Sequence, residues 1–143
     1  MYKEQLRLTG SLRVELNGDV VLRVPNLIVT TGKELVANRL HGNTAAVMSH
    51  MAIGTSSTAA TLADTAAGAE IARVSLASAS VSASVVTYTA QFPAGTPSTA
   101  SAITEASLLN NSTGGTMLCR TVFPEVNKSA SDSMTIIWTV QVN

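Results

Sequence analysis

Two histidines, a single cysteine, nine acidic residues and an abundance of serines are the side chains that could do chemistry in this chain. His41 and His50 belong to no His-x-His or His-Glu-x-x-His spacing, and Cys119 has no Cys-x-x-Cys partner, so no zinc ligand set is recognisable. A hydrolase triad needs a nucleophile beside a base, and no Gly-x-Ser-x-Gly elbow presents one. The carboxylates Asp64, Glu70, Glu105, Glu125 and Asp132 are scattered over loops and strand starts. A glycosidase would need two of them facing across a cleft, and aromatics to stack the sugar; aromatics are only 3% of the chain. Gly114-Gly115 reads as a hairpin turn, with no phosphate-binding pattern around it. The expectation is a protein that is not an enzyme and has no cofactor and no metal. His41 then reads as a helix C-terminal residue, where positive charge is favoured, and His50 as a surface or interface residue. Cys119 reads as a small buried hydrophobe that cannot form an intrachain disulfide.

The elements that would position these residues are mostly strands. Met134, Ile136, Trp138, Val140 and Val142 sit two apart with Thr135, Thr139 and Gln141 between them, the period of a strand with one dry face. These residues are expected to be buried together with Val86, Tyr88 and Phe92. Leu6, Leu8, Leu12, Val14 and Leu16 alternate up to Asn17-Gly18, a strong hairpin signal, and Pro25 ends the second arm. Leu27 to Val29 is a short strand feeding one helix over about residues 32–41. Thr31 and Glu34 fit its capping box, and Leu35, Val36 and Leu40 its apolar stripe. Gly42 fits the left-handed cap at its end. Strands are also expected over Met48–Ile53, Ile71–Ala79 and Val85–Phe92, and three more close the chain. The low-complexity Ser78 to Ser84 reads as a joint between two of them. Two long loops, 54–69 and 93–102, are longer than compact domains usually carry without a purpose. About eight strands and one helix in a single domain point to a mainly β fold, a jelly-roll-like β-sandwich over residues 25–143. The 1–24 hairpin would be an arm outside that body.

Charged residues make up 13% of the chain, about half the usual share, and nine basic residues cancel nine acidic ones. With no basic cluster, nucleic acid is excluded as a partner. No run reaches transmembrane length, and the first residues lack the apolar stretch of a signal peptide, so no membrane partner is expected. Few charges with many Ala, Ser and Thr suit a body that touches other protein surfaces. Self-association, most simply as a two-fold dimer, is expected. The arm and both loops should carry the contacts to other chains. The candidates within them or beside them are Leu6, Leu8 and Leu12, with Asp64, Glu70 and Arg73 as charged anchors. Asp64 would order its loop by an Asx-turn, and Glu70 and Arg73 would meet charges on a neighbouring subunit.

Several stretches resemble virion proteins of tailed bacteriophages. Ala52-Ile53-Gly54-Thr55, Asp64-Thr65 and Glu70-Ile71-Ala72-Arg73 are similar to an "IGTG" strand end that leads through a Thr/Ala loop to "DTAL…E…R". Thr30-Thr31-Gly32-Lys33-Glu34-Leu35 matches the helix that opens that pattern. Ile103-Thr104-Glu105-Ala106, Gly115-Thr116-Met117-Leu118, Phe123-Pro124, Lys128, Asp132 and Trp138 continue it, so that roughly residues 26–143 are covered. Ala67-Gly68 stands where the pattern favours Leu, and Ser107 where it favours Gly. Such a pattern occurs in tail-fibre and collar-like proteins and in small virion proteins. A chain of this size looks most like the jelly-roll capsid decoration (cement) proteins. The resemblance implies a structural protein on the capsid surface of the virion, made in the host cytoplasm. It would clamp neighbouring major capsid proteins, with other copies of itself as a second partner. A tail-associated adaptor or short tail-fibre or collar subunit is the alternative, and a carbohydrate-binding module the third reading.

Overall fold

The structure, a computed structural model, describes residues 3–42 and 44–143. Asn17 and Gly18 adopt φ of 51° and 88°; these positive values let the chain reverse in two residues. The turn joins β1 (Leu8–Leu16) to β2 (Asp19–Pro25), and β3 (Leu27–Ile28) leads into α1 (Thr30–Leu40). Then follow β4 (His50–Gly54), β5 (Glu70–Ser75), β6 (Ser78–Ser82) and β7 (Val85–Phe92). The chain closes with β8 (Ser101–Leu109), β9 (Met117–Lys128) and β10 (Met134–Val142). The fold is mainly β. Its two antiparallel sheets have five strands each, in the orders β2-β1-β10-β7-β6 and β3-β9-β8-β4-β5.

The described residues thus form ten strands, where about eight are expected from the sequence. One of the additional strands arises where a single strand is expected over Ile71–Ala79. The chain breaks at Leu76-Ala77, leaving β5 in one sheet and starting β6 in the other. The Ser/Ala segment is therefore a strand rather than a joint, paired to β7 through a turn at Ala83 and Ser84.

One buried cluster draws on both sheets. Leu12, Val14, Phe92, Ile136 and Trp138 come from the first sheet, and Met51, Ile53, Ile103, Leu108 and Phe123 from the second. The alternation in the last strand holds: Met134, Ile136, Trp138 and Val140 are buried and Val142 is half-buried. Phe92 is buried as expected, whereas Val86 and Tyr88 are only half-buried. In β9, Pro124 falls where the register with β8 shifts, between the pairs Ile103–Val126 and Glu105–Val122. A residue without an N–H is tolerated in such a bulge.

The first hairpin is not an arm. Strand β1 lies between β2 and β10 and pairs with β10 from Leu8–Val142 to Leu16–Met134. Leu12 and Val14 are 2% and 0% exposed. Apolar side chains two apart give β1 a dry face, and β10 beside it and the opposite sheet cover that face, which draws the hairpin into the body.

The helix starts two residues earlier than its capping box suggests. Val29 is the N-cap and no side chain caps the end. The Thr31 hydroxyl instead donates to the Met117 carbonyl at 2.9 Å, and the Thr30 N–H finds the Leu62 carbonyl of the long loop at 2.9 Å. At the other end His41 is the C-cap, and Gly42 takes the expected positive φ of 84°. Leu35 is buried and Val36 half-buried, but Leu40 is 80% exposed, so the stripe is shorter than it reads. Gly32 lets the helix sit directly on β9, because a Cβ there would collide with the Leu118 backbone carbonyl. Gly32→Ala gains about 1 kcal/mol of helix propensity. It must also push a strand backbone aside, an overpacking cost of about 1–3 kcal/mol. The expected outcome is a net loss of stability, read as a lower thermal midpoint.

Candidate functional site

Register places the charged residues of the second sheet. Glu105, Ser107 and Leu109 alternate with Ala106 and Leu108 along β8, so the two sets face opposite sides. Ala106 and Leu108 belong to the core shared by both sheets. The other set faces outward, and pairing puts Gly54 beside Glu105, and Ala52 and Arg120 beside Ser107. Yet Glu105 and Ser107 are 0% exposed and Arg120 2%. The loop between β4 and β5 lies over them. The small residues Ala52 and Gly54 leave room for it, and a Cβ on Gly54 would strike the Ala69 backbone and the Glu105 side chain.

Charge holds that loop down. The Glu105 carboxylate accepts hydrogen bonds from the backbone N–H groups of Ser56 (2.8 Å), Gly68 (2.7 Å) and Ala69 (2.9 Å). These donors come from both ends of the loop, so one side chain pins its entry and its exit. Thr104 adds a bond from its hydroxyl to the Ser56 carbonyl at 2.8 Å. The Arg120 guanidinium then spans three partners: Glu105 Oε1 at 3.3 Å, Asp64 Oδ2 at 2.8 Å and the Thr58 carbonyl at 3.1 Å. A buried carboxylate and a buried guanidinium are tolerable only when paired and fully hydrogen-bonded, and here the partners are the loop itself. The arrangement is a latch: Glu105 is held by three backbone N–H groups of the loop, and Arg120 by two carboxylates and one backbone carbonyl.

Asp64 orders the loop as expected, but by reaching backward: Thr61 donates from its N–H and its hydroxyl, each at 2.9 Å. Partial burial works against its charge, and the bonds from the Thr61 N–H, the Thr61 hydroxyl and Arg120 outweigh it, holding the carboxyl below its ordinary 3.8. Because the folded value is depressed, the stability Asp64 contributes is complete above about 3.8 and is lost as pH falls through the folded value. Asp64→Asn should therefore be less stable than the parent at neutral pH. That difference should shrink in strong acid, as thermal midpoints measured across the acid range would show.

The remaining contact candidates divide. Leu6 is 70% exposed and Leu8 half-buried. Together with Arg7, Lys33, Val36 and Leu40 they line a groove of about 510 Å³ between the first residues and the outer side of α1. Leu12 is a core residue and not a contact. Glu70 and Arg73 pair with each other, at 2.7 and 3.0 Å, instead of offering free charges. Arg73 Nη1 also closes the β8–β9 turn through the Asn111 and Gly114 carbonyls, both at 2.9 Å. In the 93–102 loop the buried Lys128 amine donates to the Pro93 carbonyl at 3.2 Å. Burial lowers its pKa, and Asp132 opposes that shift.

His41 caps the helix. The His50 ring meets hydroxyls alone among the described residues, Ser49 at 2.8 Å and Ser75 at 3.3 Å. Cys119 is fully buried, and burial pushes its thiol well up. No cluster of three or more His, Cys, Asp or Glu suited to a metal occurs among the described residues, and no helix there is long and apolar enough to cross a membrane. Arg120 is the residue that sequence reasoning passed over. Its signal was a lone cation inside the apolar alternation Leu118-Cys119-Arg120, which demands a buried partner. No family model, curated protein or solved structure matches this chain.

Proposed function

We propose that this chain is a capsid decoration (cement) protein, a structural virion protein that binds the outside of a phage head and ties neighbouring major capsid proteins together. One observation carries the reading: the separate pieces of the phage-like pattern meet in space. Thr31 and Gly32 sit on Met117 and Leu118, Gly54 abuts Glu105, and Asp64 reaches Glu105 through Arg120. That the scattered parts of the pattern form one physical frame supports reading them together as one pattern. The latched loop supports the same role. A clamp between capsid subunits must resist deformation, and here buried charge fixes the long loop between β4 and β5.

We also infer that the two sheets are the halves of a β-sandwich, because they share one core. The hairpins β4–β5, β6–β7 and β8–β9 each stay within a single sheet. That connectivity favours a hairpin-built sandwich over the two Greek keys of a full jelly roll. Capsid contacts fall on what stays exposed, above all Leu6 with Leu40 beside it. The tail-adaptor alternative shares every one of these features. The carbohydrate reading is weakened, since Phe92, Phe123 and Trp138 are buried and Tyr88 half-buried; Tyr2 lies outside the described residues.

Gel densitometry of purified particles tests the proposal. A copy number that scales with the major capsid protein supports the head. A handful set by the tail's rotational symmetry overturns the cement role in favour of the adaptor. Absence from particles overturns both.

A further inference from the structure

Of the four sheet edges, three are guarded. Strand β2 carries Asp19, Arg23 and Pro25, β3 is two residues long, and β5 carries the Glu70–Arg73 pair. Charges, proline and brevity are the usual protections against edge-to-edge pairing. Strand β6, Ser78-Ala79-Ser80-Val81-Ser82, has none of them; all five residues are exposed, Val81 to 71%. It is bonded on one side only, to β7, so alternate residues turn their N–H and C=O groups outward. The register sets Ala79 against Tyr88 and Val81 against Val86. Both apolar side chains therefore project on the sheet's core side, beyond the reach of the core.

We propose that β6 is the edge through which two copies of this chain pair, antiparallel about a two-fold axis at Ser80. The sequence around it, Ala77-Ser78-Ala79-Ser80-Val81-Ser82-Ala83, reads almost the same in both directions. Two copies aligned this way set Ser78 against the partner's Ser82 and Ala79 against the partner's Val81, with Ser80 on the axis. Each Val81 gains an apolar cross-strand neighbour, and no like charges are opposed. A two-fold contact must be self-complementary, and this is the open edge whose sequence is. The chain's net charge of zero adds no repulsion between copies. The inference deepens the self-association within the proposed function, and it stands or falls apart from capsid binding.

Single cysteines in the full chain test it, since Cys119 is buried and does not compete. Directly opposed antiparallel residues have Cα atoms about 4.5–5.5 Å apart, within disulfide reach. Residues four positions out of register are about 13 Å apart and beyond it. Under mild oxidation Ser80→Cys should therefore give a covalent dimer. Ser78→Cys and Ser82→Cys should each stay monomeric on a non-reducing gel, and the two mixed should cross-link. By light scattering the parent should show twice the 14.8 kDa chain mass. Val81→Lys should show the single-chain mass, with the near-ultraviolet dichroism of Trp138 unchanged as the sign that it folds. Equal cross-linking of Ser78→Cys alone, a monomeric parent, or a dimer that survives Val81→Lys overturns the proposal. A dimer with this cross-linking pattern that does not bind heads keeps it and removes the cement reading.

Discussion

Replacing Glu105 by Ala is expected to destabilise the protein by about 3–5 kcal/mol, the cost of breaking a buried ion pair by removing one partner. The carboxylate is 0% exposed and accepts three backbone N–H groups besides its contact with Arg120. Truncation leaves those donors without an acceptor, and leaves a guanidinium whose side chain is 3% exposed with only Asp64 and Thr58 as partners. The loop can lift and let water reach these groups, which limits the loss and makes residues 55–69 newly cleavable by protease. Glu105→Gln should recover little, because its amide turns N–H groups toward donors. Urea unfolding gives the free energy and limited proteolysis the site. Stability within about 1 kcal/mol of the parent, with the loop still resistant, would contradict the latch.

Trp138→Ala should cost a similar amount, about 3–5 kcal/mol, by a different route. Trp138 is 0% exposed, centred in β10 with Leu12 of β1 and Tyr88 of β7 directly beside it. Its indole N–H has no hydrogen-bond partner among the described residues, so truncation sacrifices no hydrogen bond to them. The whole loss is apolar burial and the cavity left behind. Trp138→Phe should retain most of the stability, and denaturant midpoints for the three proteins would rank them. Near-parent stability for the Ala variant would mean that the two sheets do not close over this residue.

The parts legible in the sequence were those with local contrast. Alternation from Met134 to Val142 and the Asn17-Gly18 turn each state their structure within a few residues. The same alternation in β1 could not say that its partner is β10, because pairing across the whole chain length leaves no local mark. Strand β6 escaped because serine, alanine and one exposed valine give no wet and dry faces to tell apart. Thr31 and Glu34 matched a capping box, but the Thr31 hydroxyl goes to Met117. There a contact far along the chain displaced the local one. The loop's length announced that it served a purpose. What it serves depends on Glu105 and Arg120, which become neighbours only once β8 and β9 pair, and on an aspartate brought from the loop itself.

The cement reading is tested most directly by the temperature at which phage heads rupture with and without this protein. Purified full-length chain is added to heads that lack it, unbound protein is removed by sedimentation, and release of packaged DNA is followed on heating. The chain should sediment with the heads and raise their rupture temperature, because a clamp across capsid subunits must be broken before they separate. Heads that rupture at the same temperature, with the chain left in the supernatant, would contradict it.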